Sequence, residues 1–314
     1  MEEQKIKEII EEMPQYKVNK IANEIAIRII NVFGNLKEEY PELLKKLEQC
    51  KISIVKFEDE SIKHYYSNGT IYLSNKIYTN SINEVLVIEF LHFLQEGKEQ
   101  SCFLEALNKF VTKLLTQELK ERMNIFGIFL ASLIEGDYAL LVNLVMQIDF
   151  LLGKEELVQT VINNKDDYFI LLNKVLNGNK EKLISDFKKL YYLEIEYKET
   201  DDIYKIEQEI KGTYFDIQNY IMKSYFYYAV TNIYNEEDID SIKDKLEELK
   251  NYRGVAEEDK FYEESYNKIT EKLNKKEKEY NKKKSKNALA VIYNNKIIAF
   301  IKRILYMLGK EKMH

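Results

Sequence analysis

Proline is almost absent from this chain of 314 residues: Pro14 and Pro41 are the only two, and everything after Pro41 runs without one. Proline cannot continue a helix, because its ring removes a backbone donor and clashes with the preceding turn. Glycine, the other strong interrupter, occurs only ten times. Few positions therefore force a break, and the expected class is mainly α, helix after helix through short connections. The 45% apolar content, with 24 Tyr and 15 Phe, is ample for a packed core.

Strands are expected only in the N-terminal third. Residues 1–13 and 15–34 carry apolar positions at helical spacing, the second through Ile21, Ile25, Ile29, Val32 and Phe33, with Pro14 between them. Pro41 suits the first turn of a helix running to about Gln49. Lys51–Phe57 is β-branched and partly alternating and reads as a strand. Ser67-Asn68-Gly69 is a turn leading into a second strand over 70–74. Ser81-Ile82-Asn83-Glu84 has capping-box spacing and predicts a helix over 81–96. Beyond it every segment reads as helix, over 103–122, 124–134, 136–152, two or three short helices between 153 and 193, one or two over 200–235, and a charged helix over 237–251. The result is an α+β chain with a small antiparallel sheet near its start. Three regions are expected: 1–122 with the sheet, 123–255 all helical, and 256–314 as a charged tail.

That tail differs from the rest. The formal charge is −6 overall, yet from Lys272 to His314 there are thirteen Lys and Arg against three Glu, a net of +10. Over 256–286 charge dominates, and Tyr262, Tyr266, Ile269, Leu273 and Tyr280 leave one narrow apolar seam. Over 287–313, Ile297, Ile298, Ile301, Ile304, Leu305 and Leu308 share a broad face, with Lys296, Lys302, Arg303 and Lys310 largely elsewhere. Such a helix either closes the helical domain or docks on a partner or an anionic membrane. The overall acidity argues against a general nucleic-acid binder. Two cysteines, Cys50 and Cys102, no signal-like N-terminus and no long uncharged apolar run point to the bacterial cytoplasm, membrane-peripheral at most.

One stretch carries chemistry: Val87-Ile88-Glu89-Phe90-Leu91-His92-Phe93-Leu94-Gln95. It resembles the His-Glu-x-x-His helix of zinc metallopeptidases, with Glu89 and His92 at the second and fifth places and Ile88 in place of the first histidine. Ala106–Thr116 is similar to the second site helix of the glutamate-ligated zincins (gluzincins), with Lys109 where the third ligand, a glutamate, belongs. The resemblance covers about the first half of the chain. It implies a zincin-like sheet with two site helices and a cleft closed by a helical domain. Neither an alkyl chain nor a protonated lysine offers a lone pair, and a hydrolytic zinc site needs three protein ligands. The expectation is therefore a pseudo-peptidase with no metal or other cofactor and no functional catalytic residue, Glu89 and His92 being vestigial.

The binding residues expected around the vestigial site are Glu89, His92, Lys109 and Glu105. In this reading Lys109 replaces the metal's charge and pairs with Glu89, because an unpaired buried carboxylate is costly. The plainer alternatives are a core histidine bonded to a neighbouring helix for His92 and a solvent-facing acid near a helix start for Glu105. His64 lies in a polar loop before Gly69, and nothing in the spacing requires it at the site; His314 is terminal. The expected function is binding of a protein or peptide partner of unknown identity. The alternatives are a metallohydrolase using His92, Glu105 and His64, and a peripheral membrane scaffold organised by residues 287–313.

Overall fold

A computed structural model describes residues 6–77, 84–99, 101–116, 123–130, 138–153, 160–163, 166–233, 236–256 and 260–311. It is mainly helical with a small sheet, as the scarcity of helix breakers demands. Two compact units are present, one formed by residues 1–225 with 248–259 and the other by 226–247 with 260–314.

In the first unit, β1 (Ile6–Glu12), β2 (Lys51–Phe57), β3 (His64–Ser67) and β4 (Thr70–Ser74) form one sheet in the order β1-β2-β4-β3. β1 pairs antiparallel with β2 and β3 antiparallel with β4, but β2 and β4 run parallel. The sheet is thus mixed, where a wholly antiparallel one was expected. β3 and β4 are joined by Asn68 and Gly69, both at positive φ (47° and 74°), the conformation that the right-handed twist of a two-residue hairpin requires.

Residues 6–12 read as helix from their Ile6, Ile9, Ile10 spacing and are a strand instead. Ile9 and Ile10 stay about half exposed, so no core rewards a helical face there. Backbone bonding to β2 decides the outcome, and β-branched isoleucine suits it.

Helices follow the apolar spacing closely. α1 (Gln15–Val32) buries Val18, Ala22, Ile25, Ala26 and Ile29, one stripe at intervals of three and four. α2 (Tyr40–Leu47) carries Pro41 in its first turn and buries Leu43 and Leu47. α3 (Glu84–Leu94) is buried nearly all round, and α4 (Cys102–Thr116) packs beside it. The expected start of α3 at Ser81 lies outside the described residues, as do 117–122 at the expected end of α4.

The helix expected over 124–134 is absent from the described part of that segment. Met123–Ile125 (β5) and Ile128–Leu130 (β6) form a hairpin instead. Its two-residue turn places Phe126 at φ 53° and Gly127 at φ 71°. Phe126 packs edge-on against Tyr197, with ring centroids 4.7 Å apart, and that contact holds a phenylalanine where glycine or asparagine is the usual occupant. β6 also exchanges backbone bonds between Phe129 and Val255 at 2.7 and 2.9 Å.

α5 (Ala139–Leu152), α6 (Asp167–Val175), α7 (Lys180–Glu199) and the start of α8 (Ile203–Thr231) are further helices of this unit. A neutral polar cluster ties α5 to α8. Tyr214 Oη donates to Asn143 Oδ1 at 2.6 Å and Gln147 Nε2 to the same oxygen at 2.8 Å. Gln218 clasps the backbone of Gly254, accepting from its N–H at 2.8 Å and donating to its carbonyl at 3.1 Å.

In the second unit, the end of α8 is joined by α9 (Glu236–Glu248) and α10 (Lys260–Glu311). α10 runs unbroken through both segments read separately, 256–286 and 287–313, because no proline or glycine intervenes before Gly309. Tyr262, Ser265, Ile269 and Leu273 are buried, Lys243 pairs with Glu277 at 2.8 Å, and Tyr266 Oη donates to Glu247 at 2.9 Å.

Candidate functional site

Three elements converge at the motif. α3 supplies Glu89 and His92, three residues apart and so neighbours on one face. α4 supplies Glu105 and Lys109 at i, i+4, its first turn capped by Ser101, whose Oγ accepts from Leu104 N at 3.1 Å. β3 supplies His64 from the sheet's edge.

The five side chains form one continuous chain of bonds. His64 Nδ1 bonds Glu89 Oε1. Glu89 Oε2 lies 3.2 Å from His92 Nδ1, His92 Nε2 lies 2.9 Å from Glu105 Oε2, and Glu105 Oε1 lies 3.5 Å from Lys109 Nζ. Lys109 Nζ also sits 5.0 Å from the centre of the Tyr138 ring, within cation–π range. Tyr138 in turn packs on Tyr191. Burial is deepest in the middle: Glu89 is 3% exposed, His92 20%, and His64 at one end 31%.

Lys109 therefore pairs with Glu105, and the expected Lys109–Glu89 ion pair is not formed. The geometry explains why. A residue on α4 one turn after Glu105 meets that acid along its own helix, whereas Glu89 is already filled from both sides by imidazoles. Charge compensation for Glu89 comes from His92 and His64. His64 is the partner that sequence reasoning left unassigned: its segment reads as a polar loop but is the strand β3, held by its pairing with β4. Glu105, which reads from sequence as a solvent-facing acid, is instead engaged on both oxygens.

These contacts set the protonation states. Burial pushes the Glu89 carboxyl up, but the bonds from His64 and His92, with their charge, outweigh it and hold it at about 2. Burial pushes His92 down, and the bonds to Glu105 and Glu89 overturn that and raise it to about 10. Glu105, pushed up by burial, is lowered on balance by His92 and Lys109. His92 is thus an imidazolium donating from both nitrogens to two carboxylates.

The residues do not fit a zinc ion. Ile88 is buried at 6% exposure and has no donor atom, Lys109 is committed to Glu105, and both nitrogens of His92 are bonded to acids. Among the described residues no group of three or more His, Cys, Asp or Glu is arranged to hold a metal.

Just below the charged chain lies a neutral one. Gln95 and Asn108 exchange amide bonds at 2.6 and 3.0 Å, and Gln95 Nε2 also reaches Val161 O at 3.2 Å. Both side chains are wholly buried, and the reciprocal pair bolts α3 to α4. Nothing in the sequence pattern signals it.

Comparison with protein-family models, with curated proteins and with solved structures found no match for the chain.

Proposed function

We propose that this protein is a zincin-like pseudo-peptidase that binds an extended segment of a protein partner without cleaving it. The observation that carries this reading is the continuous chain from His64 to Lys109, in which both nitrogens of His92 and both oxygens of Glu89 and of Glu105 are engaged by neighbouring side chains. A general base works best with a pKa near the operating pH. Glu89, held at about 2 by two imidazoles, is a poor acceptor for a proton from water.

The binding surface in this reading is the outer edge of β3, which pairs with no further strand among the described residues. In the β3–β4 hairpin Tyr65 and Ser67 turn their backbone groups to β4, so those of His64 and Tyr66 turn outward. An extended segment adds to such an edge by main-chain bonding. His64 couples that edge to the buried chain of charges.

Two measurements test the proposal. Purified protein is expected to hold no stoichiometric metal and to bind zinc no more tightly than its His92→Ala variant. One zinc per chain, abolished by His92→Ala, overturns the pseudo-enzyme and favours a hydrolase built on His64, His92 and Glu105, which the fold does bring together. Peptides selected from a random library are expected to protect the His64 and Tyr66 amides from hydrogen exchange. Selected peptides that leave both unprotected remove β3 as the docking edge.

A further inference from the structure

The second unit holds a surface that the reading above leaves unused. α10 is anchored over its first turns, where Tyr262, Ser265, Ile269 and Leu273 are buried. From Asn281 onward every side chain that the structure describes is exposed. That exposed part contains Tyr293 (72% exposed), Ile297 (47%), Ile298 (51%) and Phe300 (65%) within two turns of helix. Ile297 lies one turn beyond Tyr293 and Phe300 three residues further, so the three form one stripe, which Ile298 widens. Lys296 and Arg303, also exposed, border the stripe on its other side.

We infer that this part of α10 lies on an anionic lipid surface, its apolar stripe in the interface and its cations among the headgroups. Charge selects this occupant. Between Tyr280 and Lys310 the sequence has eight Lys and Arg and no Asp or Glu. A second copy of the helix would set lysine against lysine in either orientation, with no acid available for the interchain pairs that flank a coiled-coil seam. Nucleic acid would satisfy the cations and leave Ile297, Ile298 and Phe300 in water. An anionic bilayer surface satisfies both, since it attracts each nearby cation and takes up the apolar face. The helix lies on the membrane and does not cross it: among the described residues no helix is long and apolar enough to span one.

The chain contains no tryptophan, so Phe300→Trp supplies a single reporter in the full-length protein. With vesicles of phosphatidylcholine containing a third phosphatidylglycerol, its emission should shift to the blue and the protein should sediment with the vesicles. Pure phosphatidylcholine should bind at least tenfold more weakly, and half-molar salt should release most of the protein, because the screening length then falls to about 4 Å. Ile297→Asn with Phe300→Asn should abolish sedimentation while leaving the circular dichroism of the chain unchanged, both positions being exposed. Equal binding to neutral and anionic vesicles, or none to either, overturns the inference. A concentration-dependent dimer in sedimentation equilibrium, lost in the same double variant without any vesicle binding, assigns the face to a second copy instead.

Discussion

Two of the buried polar systems in the first unit are built on opposite principles. Around Gly254, Asn143, Gln147, Tyr214 and Gln218 satisfy one another with neutral amides and a phenol, and none of the four exceeds 3% exposure. Around the motif, Glu89, His92, Glu105 and Lys109 do so with full charges, and the chain surfaces at both ends. A neutral cluster costs little desolvation and is insensitive to pH. A charged one is expensive to bury and holds only while every partner keeps its protonation state. The molecule thus carries a fixed joint and a titratable one within one unit, and the titratable one is built on Glu89 and His92.

Removing the acid at the centre of the charged chain should have the largest effect. Glu89→Ala strands His92 with one carboxylate in place of two and leaves His64 without its buried acceptor, so a loss of about 3–5 kcal/mol in denaturant-derived stability is expected. A loss smaller than that of the next variant would erase the contrast.

Gly254→Ala acts on the neutral joint by shape alone. A Cβ there would stand 2.3 Å from Tyr214 Oη, forcing apart the bonds between α8 and the Gly254 backbone. About 2 kcal/mol of destabilisation is expected, with the same value at pH 5 and pH 9.

The pH dependence of the charged joint has a definite sign. The folded pKa of Glu89 is depressed from 4.5 to about 2, so its contribution is complete above 4.5 and is lost as pH falls through about 2. The folded pKa of His92 is raised from 6.5 to about 10, so its contribution is complete below 6.5 and is lost as pH rises through about 10. Their combined support is fullest between 4.5 and 6.5. Thermal melts across pH should flatten on the acid side in Glu89→Gln and on the alkaline side in His92→Gln; unchanged slopes in both variants would mean that the joint does not titrate as a unit.

Lys109→Gln should matter least. Its contact with Glu105 is 3.5 Å long and more than a quarter of its side chain is exposed, which places the pair near about 0.5 kcal/mol. A double-mutant cycle with Glu105→Gln measures it.

Much of this architecture was legible because local chemistry and tertiary packing agree. The apolar stripe of α1, Pro41 in the first turn of α2, and the Asn68-Gly69 turn each carry their own instruction. Reading failed where a distant partner decides. Ile6, Ile9 and Ile10 spell a helix until β2 offers its edge. Phe126-Gly127 lacks the composition of a hairpin turn, and Tyr197, seventy-one residues on, holds it in place. At the site, the motif located Glu89 and His92, and helical spacing placed Glu105 and Lys109 on one face. Spacing says nothing about which acid a lysine will choose, nor that a strand would deliver His64 to Glu89.

The strand order carries a consequence for how the chain finds its fold. β4 lies between β3, its neighbour across a two-residue turn, and β2, which precedes β3 in the chain and runs parallel to β4. Hairpins close in about 1–10 μs, whereas parallel pairing must first meet the entropy of a longer loop. We predict that the β3–β4 hairpin forms first and presents β4 as a ready edge for β2, so that the transition state already contains the turn. Gly69 sits at φ 74° with open space around it, and an alanine there strains only the backbone. Gly69→Ala should therefore slow refolding in stopped-flow traces and leave the unfolding rate almost untouched; the reverse pattern would mean that β2 docks before the turn is made.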